Sequence, residues 1–118
     1  MSEAKLSAAI LKGTDLKEAI LRKSILRAAD LTGTDLSGAD LSEVDFTGAD
    51  LTDTKLHGAS LSRANLSAVG SFKRVDLSAA NLSGANLRGL DLKTANLSGT
   101  NLSGANLDEA SFTETNMG

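Results

Sequence analysis

The chain predicts an all-β solenoid, and three regularities predict it. An apolar residue recurs at every fifth position through 23 beats, nineteen of them leucine and the rest Phe46, Phe72, Phe112 and Met117. Two residues before each beat stands a small one, Ala, Ser, Thr or Gly, with Val44, Val75 and Leu90 as the large exceptions. Two residues after the beat, glycine is concentrated: nine of the eleven glycines, from Gly13 to Gly104, occupy that place.

The apolar beat marks the core, since every aromatic residue in the protein falls on it. A period of five suits neither regular element. On a helix each residue turns about 100°, so leucines five apart scatter around the cylinder. On a flat strand the side-chain period is two, so they alternate between faces. Both conflicts vanish if the chain turns a corner once per repeat, with the small residue and the leucine pointing inward from a short extended segment. The glycines then occupy the third position of a type II turn, where φ is positive. Repeats that carry Glu18, Lys23, Glu43 or Arg63 there are expected to use another turn type. A single repeat buries too little to stand alone, so adjacent coils must stabilise one another. The absence of proline fits a backbone whose N–H groups are needed along the ladder.

Runs such as ADLTG, ADLSE, ANLSG and ANLRG resemble the A(D/N)LXX motif of the pentapeptide repeat family, over residues 4–117. The resemblance implies a right-handed quadrilateral parallel β-helix with four repeats to a coil. At about 4.8 Å between neighbouring strands, about six coils make a rod of roughly 27 Å. Residues 20 apart should then stack, and the four core columns begin at Leu6, Leu11, Leu16 and Leu21. One irregularity interrupts the beat: in LSAVGSFKRVDLS, Leu66 and Phe72 are six apart. The stretch is expected to form a one-residue outward bulge in a continuous solenoid. Val69 is the candidate for the spare residue, with Gly70 taking the small inward place and Val69 removable without loss of the fold. A local recognition spot built from Val69, Lys73 and Arg74 is the lesser expectation.

The residue before each leucine points outward. Asp30, Asp35, Asp40, Asp45 and Asp50 form an acidic belt there, either solvated or facing a partner, and later coils mostly use asparagine. Asparagine ladders can share amide hydrogen bonds between coils, whereas stacked aspartates repel. In the first coils the place belongs to Ile10, Ile20 and Ile25, beside Lys12, Lys17, Arg22 and Arg27. These isoleucines either pack locally or form a partner patch, since exposed apolar clusters mark interfaces. The last repeat, TNMG, brings no cap, which suggests end-to-end self-association.

The sequence is expected to be one domain, 1–118, without a linker, and no cofactor is expected. Net charge is −3, but residues 1–27 hold six basic against three acidic residues and the remainder six against twelve. With no cysteine, no secretory leader and no long apolar run, a cytoplasmic protein without membrane attachment is expected. One histidine and no cysteine cannot build a usual zinc site. The recurrent serines lack a base fixed beside them, and a core filled with leucine leaves no interior pocket, so enzyme activity is not expected. Direct nucleic-acid binding is disfavoured, because basic residues are few and no aromatic lies outside the core. The leading expectation is a rigid rod that binds an unidentified protein. The resemblance also implies an alternative: quinolone-resistance members of the family bind DNA gyrase in place of DNA, and the Asp30 to Asp50 belt points that way. The modest net charge, the basic first coils and the lack of inserted loops or a dimerising C-terminal helix point against it.

Overall fold

The structure, a computed structural model, describes residues 3–112 and 115–117. Its backbone winds into a four-sided solenoid with extents of 32 × 24 × 22 Å. Single-residue parallel bridges join successive coils: Lys5 to Ile25, Ile10 to Asp30, Asp15 to Asp35 and Ile20 to Asp40 define the four faces, here numbered 1 to 4. The step is 20 residues until the irregular stretch and 21 across it, as in Asp50 to Ser71 and Asn65 to Asn86. It returns to 20 from Asp76 to Asn96.

Hydrogen bonding explains why a unit of five is self-consistent. The leucine N–H donates to the carbonyl just before the leucine of the next coil, as from Leu31 to Asp50 at 2.9 Å. The residue before the leucine donates back to the previous coil, as from Asp30 to Ala9 at 2.9 Å. At the corner, Gly33 N–H reaches the next coil at Thr52, 2.9 Å, and Thr34 N–H closes the turn onto Leu31, 3.0 Å. The fifth N–H, on Thr32, has no backbone acceptor. It donates to Oδ1 of Asp30 at 3.1 Å. All five backbone donors of the repeat are thus satisfied, as buried or half-buried amides require.

The corners match the expected turn at glycine, where φ lies between 65° and 73°. They overturn the expectation for Glu18, Lys23, Glu43 and Arg63, whose φ values of 58° to 62° lie in the same left-handed region. Each such residue costs about 1 to 2 kcal/mol relative to an ordinary conformation. The corner nonetheless makes an inter-coil bond and a turn bond, at Lys23 to Ser42 (2.8 Å) and Ser24 to Leu21 (3.0 Å). Each contributes about 1 kcal/mol net, so the ladder imposes its turn on residues that would avoid it. Among the described corners, Ala68 and Thr94 escape the left-handed region.

The interior is a stack of leucines closed by small residues. Leu26, Leu31, Leu36, Leu41, Phe46 and the leucines up to Leu66 are fully buried, as are Ala29, Ala49 and Ala64. Threonine is admitted to the small inward place because its hydroxyl finds an acceptor: Thr34 donates to the Leu11 carbonyl at 2.6 Å and Thr54 to the Leu31 carbonyl at 2.8 Å. Burial fades toward both ends of the stack, where Leu6, Leu11, Leu102 and Leu107 are only partly covered and Phe112 and Met117 are exposed.

The extra residue forms the expected bulge, but with its parts exchanged. Val69 takes the inward place and packs against the core, whereas Gly70 is exposed and is the residue that bulges. Both Gly70 and Ser71 donate to the single carbonyl of Ala49, at 2.8 and 3.3 Å, the two-against-one pairing that defines a bulge. Glycine is needed because the chain below lies close: a Cβ at position 70 would stand 2.9 Å from the Gly48 oxygen and 3.2 Å from that of Ala49. Size alone assigns glycine to the small slot and misses that a valine fits there, as Val44 and Val75 also do, both buried. Gly70→Ala should therefore cost about 1 to 3 kcal/mol by overpacking. Removal of Gly70, and not of Val69, should keep the fold with an unchanged or higher melting temperature. Thermal denaturation followed by circular dichroism measures both; a neutral Gly70→Ala, or unfolding of the Gly70 deletion, contradicts the assignment.

Candidate interaction surfaces

The outward residues are those before the leucines and those at the corners, and the coil geometry decides which of them meet. Asp30 and Asp50 stack on face 2, whereas Asp35 lies on face 3, Asp40 on face 4 and Asp45 on face 1. The acidic belt therefore rings the solenoid once. All five carboxylates play the same structural part, in which Oδ1 accepts the N–H two residues on, from Thr32, Ser37, Ser42, Thr47 and Thr52 at 2.9 to 3.1 Å. Asn65, Asn81, Asn86, Asn96, Asn101 and Asn106 cap their corners in the same way. Among the described residues these amides bond within their own repeats and do not build the side-chain ladder between coils that their stacking suggested.

This capping alters titration. The Thr32 hydroxyl and N–H hold the Asp30 carboxyl below the usual carboxylate range, and the hydroxyl and N–H of Ser37 and Ser42 do the same for Asp35 and Asp40. At Asp45 burial is the largest influence and pushes upward, but the Thr47 bonds and the nearby Arg27 outweigh it, leaving the carboxyl lowered.

Ile10 and Ile20, at 83% and 57% exposure, are the outward isoleucines most open to solvent, but they lie on opposite faces, 2 and 4. Ile25 is half-buried on face 1. The three do not form one contiguous patch. Their basic neighbours are partly tied into the acidic coil above, Arg22 to Glu43 at 3.6 Å and Arg27 to Asp45 at 3.9 Å. The charge gradient along the chain thus folds into cross-coil pairs, each worth at most about 1 kcal/mol at an exposed site.

At the bulge, Lys73 and Arg74 are exposed, and Val69 faces inward rather than joining them. Arg74 forms a two-pronged pair with Asp53, Nε to Oδ1 at 2.7 Å and Nη2 to Oδ2 at 3.1 Å, which lowers the Asp53 carboxyl. Beside them a cleft of about 220 Å³ opens in the wall, lined by residues of the bulge and by Gly89, Leu90, Asp91 and Thr94 of the next coil. The leucine-filled interior does not preclude such a cleft, because it lies in the wall, with the core residue Phe72 in its lining.

One contact runs against the sequence expectation that no serine has a base beside it. His57 Nδ1 lies 2.8 Å from the Ser78 hydroxyl, one coil away at the same corner. The hydroxyl donates its only proton to Asp76 Oδ1 at 2.6 Å. The imidazole is therefore the donor to Ser78, the reverse of what a general base requires. Among the described residues no group of three His, Cys, Asp or Glu side chains could hold a metal ion. Among the same residues no helix is long and apolar enough to cross a membrane.

The lowered carboxyls fix the sign of the pH response. Their folded pKa lies below the unfolded value near about 4, so the stability they contribute is present above about pH 4 and is lost as pH falls through the folded values. The melting temperature should be level near neutrality and decline below about pH 4. Replacing Asp30, Asp35, Asp40 and Asp45 by asparagine, which retains the acceptor, should make that decline shallower. Melting curves from neutral to acid pH decide the matter: an equal decline in the asparagine variant would separate the capping from the acid response.

Comparison with known proteins agrees with this geometry. The model of the family described as pentapeptide repeats matches residues 1–38, 29–67, 71–108 and 91–118, in eight copies. Among solved structures, the pentapeptide repeat protein Rfr23 of the cyanobacterium Cyanothece 51142 is 25% identical, with a TM-score of 0.59 over 99% of this chain and 90% of that one. HetL of the cyanobacterium Nostoc, a pentapeptide repeat protein involved in heterocyst differentiation regulation, is 36% identical over 92% of this chain, with a TM-score of 0.46. QnrB1, a plasmid-mediated fluoroquinolone resistance protein, shares the fold at a TM-score of 0.69 over 97% of this chain and 19% identity. The chain spans about 60% of the length of HetL and of QnrB1. A search of curated proteins finds no match. With four repeats per turn, parallel bridges between coils and the motif matched over all but residues 68–70, the protein is a right-handed quadrilateral β-helix and belongs to the pentapeptide repeat family.

Proposed function

We propose that this structural repeat module works without catalysis, as a rigid rod whose outward side chains engage a protein partner. The observation that carries the reading is the use to which its polar side chains are put. The aspartates and asparagines before the leucines cap corners, Ser78 is bonded to Asp76, and the one histidine donates to Ser78. The chemistry is spent on the scaffold, which leaves differently patterned faces as the variable feature. Faces 2 and 3 carry Asp30, Asp50 and Asp91, and Asp15, Asp35 and Asp76, respectively. Face 1 turns to asparagine after Asp45, at Asn65, Asn86 and Asn106, and face 4 follows Asp40 with Ser60, Asn81 and Asn101. Such asymmetry suits recognition by one side of the rod.

The test is affinity capture from the native extract followed by reconstitution with the purified partner. Charge reversal at Asp35 or Asp91 on an acidic face, or substitution of Asn81 and Asn101 on the neutral one, should weaken the complex at least tenfold. Failure to reconstitute any complex, or insensitivity to substitution on every face, would reject the reading.

The acidic residues along faces 2 and 3 also favour a second reading, a DNA mimic acting on a DNA topoisomerase of the gyrase type. A supercoiling assay addresses it directly: at micromolar concentration the protein should inhibit gyrase or protect it from a quinolone. An unchanged supercoiling rate with and without the drug would exclude this role.

A further inference from the structure

The cleft beside the bulge coincides with a gap in the backbone ladder. On face 2, bridges join Ile10 to Asp30, Asp30 to Asp50, Asp50 to Ser71 and Asp91 to Ser111, but none joins Ser71 to Asp91. By the pattern of the other coils, Phe72 N–H should donate to the Asp91 carbonyl and Asp91 N–H to Gly70. Neither bond is present, nor is the corner bond from Ala68 to Arg88. Arg74 N–H has exchanged its backbone acceptor for the Thr94 hydroxyl, 2.9 Å away. Four consecutive links between two coils are thus absent or diverted, all at one place. The inward column explains the spreading: in the coil above Val69 the small slot is filled by Leu90, so large residues occupy adjacent levels where Ala29 and Ala49 stand in the coils before.

The opened wall presents the donor and acceptor groups of a strand edge around an apolar floor. Phe72 and Asp91 offer N–H groups, Gly70 and Asp91 offer carbonyls, and Val69, Phe72 and Leu90 form the floor. Lys73 and Asp91 stand at the lips, and Asp91 is paired with Lys93 at 3.9 Å. At about 220 Å³ the cleft is smaller than the roughly 300 to 1,000 Å³ of sites that enclose a whole small molecule. It suits a residue or two of a longer ligand that finds its remaining contacts outside. Only a peptide backbone supplies amide donors and acceptors alternating in the manner of the missing ladder bonds.

We propose that the cleft at the Gly70 bulge binds an extended peptide segment of a protein partner, which pairs with the open backbone groups of Phe72 and Asp91 and places a small apolar side chain over Val69 and Leu90. This rests on the interaction-module reading and assigns it a site. The extra residue is part of the site, since Gly70 lines the cleft and its carbonyl is one of the open acceptors.

The test begins with a phage-displayed library of linear peptides selected on the intact protein. Enriched peptides are synthesised and titrated into the isotope-labelled protein. Amide shifts should concentrate at Gly70, Ser71, Phe72, Lys73 and Asp91, and exchange of the Phe72 and Asp91 amides should slow at least tenfold. The same peptides should lose at least tenfold in affinity for the Gly70 deletion, whose fold is checked by circular dichroism. The wild-type mapping keeps the test valid if that variant does not fold. Peptides that perturb another face, or bind the folded deletion equally, overturn the cleft while leaving the interaction-module reading intact. A selection that enriches no peptide overturns the cleft as well, and reconstitution with the captured partner decides the broader reading independently.

Discussion

The structure depends on one constraint: each repeat must satisfy five backbone N–H groups while turning a corner. Two go to the coils on either side through the extended segment, one goes to the next coil from the corner, and one closes the turn. The fifth has only the side chain before the leucine to turn to, which is why Asp or Asn recurs there. The motif is commonly described by its leucine, but the leucine settles only what is buried. The short polar residue beside it makes a five-residue corner possible without a stranded donor. Proline would remove one of these donors in any of the places where it bonds, and the chain contains none.

The same constraint accounts for the tolerance of left-handed backbone at eleven of the described non-glycine residues, with φ between 55° and 62°. Local preference would send Lys23 or Glu43 to another turn. The ladder overrides that preference because a different corner would break bonds to the neighbouring coil as well as within the turn. At the interrupted wall the corner of Ala68, which lacks its bond to the next coil, leaves the left-handed region, whereas Arg74, bonded to the Thr94 hydroxyl, keeps it.

Much of the fold was legible in the sequence because its signals are periodic and redundant. The core beat, the extra residue and the turn at the glycines follow from spacing, and an error at one repeat is outvoted by the others; the stacking step of 20 and the four core columns rest on the four-repeat coil that the family resemblance implies. The bulge was legible in position but not in detail. Whether Val69 or Gly70 turns outward depends on the approach of the Gly48 and Ala49 carbonyls from the coil below, and no local pattern reports it. The candidate surfaces were less legible still. The residues of the acidic belt stand out in the sequence, but their role as corner caps becomes visible only through hydrogen bonds. The three isoleucines are equivalent in their repeats yet lie on different faces. The cleft left a trace in the sequence, since Val69 and Leu90 interrupt a column of alanines 21 residues apart. Their significance required knowing that they are stacked neighbours.

Four corners per coil also separate the inside of the molecule from its outside in evolutionary terms. Because every repeat presents an equivalent inward pair, duplication or loss of one five-residue unit leaves the leucine stack intact. The outward residues of all later repeats, however, advance by one face, a quarter turn about the axis. An acidic face becomes a neutral one, and rows that faced one partner face another, with no change to any buried side chain. A single-residue insertion does the opposite: as the Gly70 bulge shows, it alters the wall locally and leaves every later row in place. The lineage of such a protein can therefore reorient its surface in whole steps or modify it at one point, and these two kinds of change draw on different lengths of inserted chain.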